Sequence, residues 1–511
     1  MAGRTQTLAQ LLLNQWRTSQ DLARELYGEP IDDKKLRAAR QALSRLREAL
    51  ESSEWPLEVP AGRTLVLDER WQRKSDGRGS EKYFRLRYQE ARPEPSAGGA
   101  SYLQLWFPPS SWSGWIVPGF QTLERDRSIS HKHLYTGSRG PDNWLTVASS
   151  PIYREAERKA GEAMYEEMNA AEEPWLTSSV VYVGLGTGSG LADVQVLREL
   201  LEGDRGRAVQ AVPLDFSPVL LSETVANIYQ ELGPEIEAGR LGVLPILGDL
   251  EQPEDWARLL PPIQTGASLV VGMFGNTIGH LQNRERSTIQ RIFTELDRWA
   301  RRHGAPRWTV ANSRMLLGVS LQRKDGWPHG RTVESCRRWL NLVGDPLRTL
   351  LETVEGEYQT VCLPPEEQQR VEGAVAIAEL RRRRAGGGNP PLLGRFYHEE
   401  LPYRPSDGIT GVVQRYSFAF ERDLDLEGEK VFHRHHLPES RWRTLGELRA
   451  SFTAGEDQVV LCEVTQFNLK TFRPALRRLG MVHSDRQVYV AKVANMKPYA
   501  VLGFAPVADR R

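Results

Sequence analysis

Short hydrophobic runs alternate with amphipathic stretches in the middle of the chain. Runs rich in β-branched residues predict four buried strands, and apolar residues at helical spacing lie between them. The predicted strands are 180–183, 208–214, 242–247 and 268–273, followed by a helix at 284–302 and a further strand at 307–311. Because strands that alternate with helices form parallel sheets, this pattern predicts an α/β domain with a Rossmann-like sheet over residues 176–320.

The first 90 residues follow another pattern, in which short amphipathic helices precede two β-like stretches. Helices are predicted at 7–16, 20–27 and 34–51, and strands at 57–67, with a turn at Ala61-Gly62, and at 82–88. The arrangement predicts a winged-helix-like module over residues 1–90. Segments 39–51 and 60–67 resemble the recognition helix and wing of response-regulator output domains.

The third predicted helix carries an apolar stripe on one face and basic residues on the other. Its basic residues are Lys34, Lys35, Arg37, Arg40, Arg45 and Arg47. Such a face suits contact with DNA phosphates, and it equally suits a solvated surface on a module used for protein docking. Both alternatives remain open at this point.

The remaining segments are expected to complete the architecture around the central sheet. Residues 91–130 are predicted to form a linker and strap, and residues 131–175 are predicted to form a segment of the substrate domain. Residues 321–458 are expected to form an inserted α+β substrate or lid domain. Residues 459–511, with strands at 459–465 and 488–493 around a helix at 469–479, are expected to complete the core sheet.

Composition narrows the class of protein. The 511 residues are enough for about three domains, and the net charge of +1 gives no field that favours nucleic acid or membrane. The three cysteines have no disulfide or metal spacing, and no apolar run reaches membrane-spanning length, so a cytoplasmic protein is expected. His433, His435 and His436 lack carboxylate or cysteine partners at metal-binding spacing, so no metal site is predicted.

Glycines follow the first predicted strand in a pattern that suits close backbone approach to a ligand. They fall at Gly184, Gly186, Gly188 and Gly190, a spacing that matches neither the dinucleotide fingerprint nor a phosphate-binding Walker loop. The second strand ends at Asp215, where a carboxylate can accept hydrogen bonds from ribose hydroxyls.

The third and fourth strands also deliver polar residues at their carboxyl ends. Asp249 and Leu250 follow the third strand, where they could hold an adenine by its amine and its face. The fourth strand runs into Phe274-Gly275-Asn276-Thr277-Ile278-Gly279-His280. Open α/β sheets bind ligands at this edge, and the layout is that of a class I methyltransferase that uses S-adenosyl-L-methionine.

Two motifs resemble those of the histidine-specific Nα-methyltransferases of the ergothioneine pathway. Residues 274–279 are similar to the family's G-S-T-I-G element, and Glu463-Val464-Thr465 with Lys470 to Pro474 is similar to its E-V-S-x-K-F-R-P element. Tyr135-Thr-Gly-Ser and Tyr153-Arg-Glu-Ala-Glu157 give a weaker match. The resemblance covers about 130–320 and 455–495.

The resemblance implies roles for several residues. Glu463 and Thr465 would read the substrate side chain, Tyr153 would lie beside it, and Tyr135 and Gly275 would lie near the reacting amine. The family has an asparagine after T-I-G that helps hold the substrate α-carboxylate, and this chain has His280 there. A histidine at this position could donate to a carboxylate, or it could signal a different substrate.

Two functions from different classes are consistent with these features. The first is an S-adenosyl-L-methionine-dependent N-methyltransferase that acts on the α-amino group of histidine or on a related amino acid or small amine. Tyr135 could orient the amine or take its proton through water, and Glu463 could pair with a cation. The second is a regulator that senses S-adenosyl-L-methionine or a metabolite and reports through residues 1–90.

Overall fold

The computed structural model forms two compact units, Met1–Leu103 and Gln104–Arg511. The structure describes residues 12, 17–27, 35, 38–39, 42–43, 63–73, 80–90, 122–129, 131–135, 140–170, 175–202, 204, 206–263, 266–281, 284–303, 312–322, 333–344, 358–382, 392–405, 408–427, 449–477, 481–482, 488–493 and 496–506. Helices in these ranges are numbered α1 to α9 and strands β1 to β20 below.

The first unit contains a small antiparallel sheet and a helix. Strand β3 (Ser80–Glu90) lies between β1 (Arg17–Thr18) and β2 (Arg63–Arg73), and α1 (Ser19–Tyr27) follows β1 directly. The strand predicted at 82–88 lies within β3, and the one predicted at 57–67 is described only from Arg63 onward. The turn expected at residues 61–62 lies outside the described residues, and the winged helix stays a prediction.

The second unit is organised around a largely parallel sheet, which confirms the predicted α/β class. Its strands are β4 (Ser179–Leu185), β5 (Ala208–Asp215), β6 (Leu241–Val243), β7 (Ile246–Leu247), β8 (Ser268–Met273), β9 (Ser313–Ser320), β18 (Met481–Val482), β19 (Val488–Val493) and β20 (Met496–Pro506). The order β6-β5-β4-β8-β9 is parallel throughout, and β20 pairs antiparallel with β9, with β18 and with β19.

Helices cover both faces of this sheet. They are α2 (Gly140–Ala148), α3 (Pro151–Ala170), α4 (Leu191–Glu202), α5 (Pro218–Glu237), α6 (Pro253–Trp256) and α7 (Glu285–Arg302). Along β4, Val181 and Val183 pack in the core with Trp256 and Trp299, while Tyr182 packs in the core on the opposite face. Burial on both faces explains why β4 and β8 are continuous hydrophobic runs rather than alternating ones.

A second sheet forms from the chain between β9 and the closing strands. It contains β10 (Tyr358–Cys362), β11 (Arg370–Val371), β12 (Ala374–Arg382), β13 (Leu392–Tyr403), β14 (Gly411–Phe420) and β17 (Gln458–Phe467), all antiparallel. Two short strands, β15 (Leu424–Glu427) and β16 (Arg449–Phe452), pair separately, and helices α8 (Val333–Val343) and α9 (Leu469–Arg477) lie in the same part of the chain.

The strand predicted at 459–465 exists, but the expectation that it completes the core sheet is wrong. It is part of β17, which pairs with β14 in the antiparallel sheet. The hairpin that closes the core sheet is β19–β20 instead, so Val488–Val493 is the penultimate strand. The hydrophobic pattern marked β17 as a strand correctly, and its pairing partner depends on contacts distant in sequence.

No helix among the described residues is long and apolar enough to cross a membrane. Within the same ranges, no group of three or more histidine, cysteine, aspartate or glutamate residues could hold a metal ion. His433, His435 and His436 lie outside the described residues.

Candidate functional site

A pocket opens at the carboxyl ends of β4, β5 and β8, the edge at which open α/β sheets bind ligands. Its lining combines glycines, aromatic rings, aliphatic side chains, one carboxylate and two histidines. The lining residues are His131, Tyr135, Trp144, Gly186, Gly188, Asp215, Phe216, Leu220, Leu250, Gly275, Thr277, His280 and Leu281. Apolar walls with a few convergent polar groups are typical of small-molecule sites.

The turn between β4 and α4 requires glycine at every second position. Gly186, Gly188 and Gly190 have φ values of +64°, +58° and +71°, which L side chains rarely adopt. A Cβ atom on Gly188 would lie 2.9 Å from Trp144 Nε1, and one on Gly190 would lie 2.6 Å from Thr224 Cγ2. The bare backbone therefore lets Trp144 close over the turn, and only Gly186 and Gly188 of the four glycines line the pocket.

Gly184 has a packing role in the structure. A Cβ atom there would lie 2.2 Å from Asp193 Oδ1, an oxygen that accepts a 2.5 Å hydrogen bond from the Tyr182 hydroxyl. Asp193 is buried, and burial raises its pKa to about 7. Gly184 thus makes room for a buried polar pair behind the pocket.

Asp215 lies at the end of β5 and fastens the glycine turn to the following helix. Its Oδ2 accepts a 3.0 Å hydrogen bond from the Gly188 N–H, and its Oδ1 accepts a 2.9 Å bond from the Ser217 N–H. Burial raises the pKa of Asp215 to about 6, while these backbone donors act in the opposite direction. At neutral pH the carboxylate is ionised, and its remaining lone pairs can accept from hydroxyl groups in the pocket.

Asp249 and Leu250, which follow β7, have different surroundings. Leu250 lines the pocket, whereas Asp249 forms an ion pair with Lys132 from the 3₁₀ helix His131–Tyr135. Lys132 Nζ also lies 3.8 Å from Glu251, and Glu251 pairs with Arg284 at 2.7 Å. The carboxylate expected to hold an adenine amine is therefore already engaged by an ammonium group.

Aromatic rings form one wall of the pocket. The Tyr135 ring meets Trp144 edge-on at 5.5 Å and Phe216 at 6.0 Å, and Trp144 meets Tyr153 at 5.2 Å. Burial raises the pKa of Tyr135 well above its usual range, so the hydroxyl keeps its proton at neutral pH. Tyr135 lines the pocket and can orient a bound group by hydrogen bonding. Tyr153 does not line the pocket and packs against Trp144.

The turn after β8 is held in a strained conformation by buried hydrogen bonds. Asn276 has φ +63°; its Nδ2 donates to the Thr465 carbonyl at 3.2 Å, and its Oδ1 accepts from the Ser320 N–H at 2.8 Å. The Gly275 N–H donates to the Tyr499 hydroxyl at 3.1 Å. These bonds tie the turn to β17, β9 and β20, and they fix Gly275 and His280 at the pocket.

His280 closes the 3₁₀ helix Thr277–His280 and is only 7% exposed. Its ring stacks on His131 at 5.5 Å and meets Tyr135 edge-on at 6.4 Å. Burial lowers the pKa of His280 to about 4, although a hydrogen bond to the Glu463 backbone carbonyl acts in the opposite direction. Its Nδ1 has no hydrogen-bond partner among the described residues.

Glu463 and Thr465 do not line the pocket. The Glu463 Oε1 accepts a 2.6 Å hydrogen bond from Arg415 Nε, its direct neighbour on β14, so its charge is already paired. Thr465 is buried, and its backbone carbonyl holds Asn276. Both residues contact the site through their backbone. The Glu463 carbonyl accepts a hydrogen bond from His280, and the Thr465 carbonyl accepts one from Asn276.

The structure brings together about half of the residues singled out from sequence. The pocket is lined by Tyr135, Gly186, Gly188, Asp215, Leu250, Gly275 and His280, and it is not lined by Gly184, Gly190, Asp249, Tyr153, Glu463 and Thr465. His131, Trp144, Phe216, Leu220, Thr277 and Leu281 were missed. Phe216 directly follows β5 and Thr277 lies in the turn after β8, positions that the predicted strand ends indicate, whereas Trp144 reaches the pocket only through packing.

No protein-family model matches this chain, and no curated protein sequence matches it. Solved structures give distant matches, of which three illustrate the range. The glycopeptide N-methyltransferase MtfA complexed with S-adenosyl-L-methionine is 11% identical, with 68% of this chain and 87% of that chain covered and a TM-score of 0.27. SCL7 of Oryza sativa is 10% identical, with 76% and 88% covered and a TM-score of 0.31. N,N-8-amino-8-demethyl-D-riboflavin dimethyltransferase (RosA) of Streptomyces davawensis is 15% identical, with 68% and 82% covered and a TM-score of 0.22. Because these TM-scores are low, the matches do not define the fold of this protein. The fold is described from the chain's own strand order instead.

Proposed function

We propose that this protein is an S-adenosyl-L-methionine-dependent N-methyltransferase that acts on the amino group of histidine or of a related amino acid or small amine. The observation that carries the proposal is the pocket in which Asp215, Gly186, Gly188 and Leu250 meet at the carboxyl edge of the sheet. The core sheet order, in which antiparallel β20 lies between β9 and β19, also matches a class I methyltransferase sheet.

The residues present fit the proposed cofactor. Asp215 offers an ionised carboxylate with free lone pairs for ribose hydroxyls, and Gly186 and Gly188 present bare backbone to the pocket. Leu250 and Leu281 provide apolar surface for a base. When bound, the cofactor supplies a methyl group activated by a sulfonium.

The chain's own groups would position the amine and exclude water. Methyl transfer is an in-line displacement, which requires an aligned, neutral amine rather than a strong base. Tyr135 keeps its proton at neutral pH and suits an orienting hydrogen bond. Trp144 and Phe216 pack around the Tyr135 ring and make the wall apolar.

Calorimetric titration of the full chain with S-adenosyl-L-methionine tests the proposal first. We expect saturable binding that weakens at least tenfold in Asp215→Ala and stays unchanged in Asp204→Ala, a control at an exposed loop position. Thermal unfolding of each variant shows whether the fold is retained. Formation of S-adenosylhomocysteine with a panel of amino acids and amines then measures methyl transfer.

The results separate the enzyme from the regulator. Cofactor binding with turnover of one amine supports the enzyme. Cofactor binding without turnover, together with DNA binding by residues 1–90 in a mobility-shift assay at physiological salt, would favour a sensing regulator. A protein that does not bind the cofactor would refute the proposed function.

A further inference from the structure

Among the described residues, the pocket lining contains four titratable side chains, and three of them are poorly suited to accept a proton at neutral pH. The four are His131, Tyr135, Asp215 and His280. Tyr135 keeps its own proton because burial raises its pKa well above its usual range. Burial lowers the pKa of His280 to about 4, and its Nδ1 has less than 1 Å² of accessible surface, so this ring stays neutral and shielded. Both oxygens of Asp215 already accept hydrogen bonds from the backbone.

His131 is the fourth of these side chains, and its position suits proton transfer. It lines the pocket, and 14% of its side chain is exposed, so the ring can contact a ligand and pass a proton to solvent. It lies four residues before Tyr135 in the same 3₁₀ helix. A neutral imidazole is a base of suitable strength near neutral pH, whichever of its nitrogens carries the proton.

A carboxylate lies beside the His131 ring. Glu251 Oε1 is 3.9 Å from His131 Nε2, beyond hydrogen-bond length but close enough to stabilise an imidazolium electrostatically. Two anionic and two cationic side chains meet around this pair, so their charges balance. They are Glu251 and Asp249, and Lys132 and Arg284. His280, stacked on His131 at 5.5 Å, stays neutral and adds no like charge.

The proposed reaction requires that a proton leave the substrate. Amino groups ordinarily titrate above pH 7, so the amine arrives mostly as an ammonium, which has no lone pair for attack on a methyl group. When the ammonium N–H bond breaks, its electron pair stays on the amine nitrogen and the proton bonds to an imidazole nitrogen. The pocket then holds a neutral amine and an imidazolium, which returns its proton to solvent.

We propose that His131, supported by Glu251, is the catalytic base that removes a proton from the substrate amine. The inference rests on the proposed function and adds a catalytic residue to it. It assigns to His131 the proton transfer that the sequence suggested for Tyr135, and it leaves Tyr135 the role of orienting the amine.

The pH dependence of methyl transfer tests this role. Full-length protein saturated with S-adenosyl-L-methionine would be assayed with histidine and with histamine as probe amines. At pH 7.5 we expect His131→Gln to lower kcat about a hundredfold. At pH 9.5 more of the amine is already neutral, so the deficit should shrink to about tenfold or less. A deficit of the same size at both pH values, or none at pH 7.5, would overturn the proposal.

Further variants separate the chemistry of His131 from a structural role. His131→Phe keeps an aromatic ring for the stack on His280 and removes both nitrogens, so it should behave as His131→Gln does. Both variants should bind the cofactor within about threefold of wild type, since neither removes Asp215 or the glycine turn. His303→Gln, at an exposed ring on Trp299, is the control and should leave kcat unchanged at both pH values.

The His131 ring also gives a readout that needs no turnover. In ¹H–¹³C spectra of histidine-labelled full-length protein saturated with S-adenosylhomocysteine, the signal lost in His131→Gln should titrate within about pH 5–8. Glu251→Gln should lower this midpoint by about 0.5 pH unit or more, because the imidazolium loses an adjacent carboxylate. Glu254→Gln, at a carboxylate that pairs with Arg291 at the surface, should leave the midpoint in place.

The outcomes distinguish this inference from the function on which it rests. A midpoint unchanged in Glu251→Gln, or a His131 ring that does not titrate in this range, would overturn the pair. Cofactor binding without methylation of either probe amine would overturn the catalytic role. Failure of cofactor binding would overturn the proposed function instead.

Discussion

Asp215 combines a buried position with two backbone donors, and this combination determines when its carboxylate is ionised. Burial raises its pKa to about 6, so the carboxylate is mostly ionised at pH 7.5 and mostly protonated at pH 5. The ionised form is the better acceptor for ribose hydroxyls. Cofactor binding should therefore respond to pH near the pKa of this residue.

We expect the dissociation constant for S-adenosyl-L-methionine to rise about tenfold between pH 7.5 and pH 5, because one proton titrates with a pKa near 6. Calorimetry of the wild-type chain and of Asp215→Asn measures this dependence. The variant should bind more weakly at pH 7.5 and lose the dependence. An identical pH dependence in both proteins would assign it to another group.

Asp193 illustrates a residue that affects stability rather than binding. Burial raises its pKa to about 7 from 3.8, and its Oδ2 has no partner among the described residues. The native state therefore holds a proton that the unfolded state releases near pH 4. Its contribution to stability is complete below about pH 4 and is lost as pH rises to about 7.

We expect the free energy of unfolding of the wild-type protein to fall between pH 4.5 and pH 7.5. In Asp193→Asn this fall should be smaller by about 1–3 kcal/mol. Urea unfolding at both pH values measures the difference. Asp204→Asn, at an exposed aspartate, should leave the wild-type slope in place. A slope unchanged in Asp193→Asn would show that Asp193 titrates normally in the native protein.

At the scale of elements, the 3₁₀ helix His131–Tyr135 is fastened to the segment after β7 by Lys132. Lys132 and Asp249 are 117 residues apart in sequence, and both side chains are largely buried. Tyr135 lies at the end of the same helix, so this ion pair helps position a residue that lines the pocket. Breaking a partly buried pair also leaves a carboxylate without its partner.

We expect Lys132→Met to increase amide hydrogen exchange about tenfold within residues 131–135, because loss of the pair favours local opening. Mass spectrometry of exchange in the full chain measures this change. Lys159→Met is a matched control, since Lys159 pairs with Glu162 within α3 at similar burial. Unchanged exchange in Lys132→Met would mean that aromatic packing alone holds the helix.

At the scale of the whole molecule, the chain divides into two compact units. Every residue that lines the pocket belongs to Gln104–Arg511, and this unit contains the complete core sheet. A unit with its own hydrophobic core can fold independently.

We therefore expect a fragment of residues 104–511 to unfold cooperatively and to bind S-adenosyl-L-methionine within about threefold of the full chain, because no pocket-lining residue is removed. Calorimetry and thermal unfolding of both proteins provide the comparison. Loss of cofactor binding from a folded fragment would assign a binding role to residues 1–103.

The sequence alone determined the strand, glycine turn and helix around residues 180–201, and it placed Asp215 and Gly275 at strand ends. These features follow from local physics, since buried strands need continuous apolar runs and positive φ favours glycine. Only the tertiary structure decided that β17 pairs with β14, that Lys132 engages Asp249 and that Arg415 engages Glu463. Among the described residues, it also left His280 Nδ1 without a hydrogen-bond partner. The two ion pairs join residues 117 and 48 positions apart, and periodicity along a chain carries no information about such distant partners.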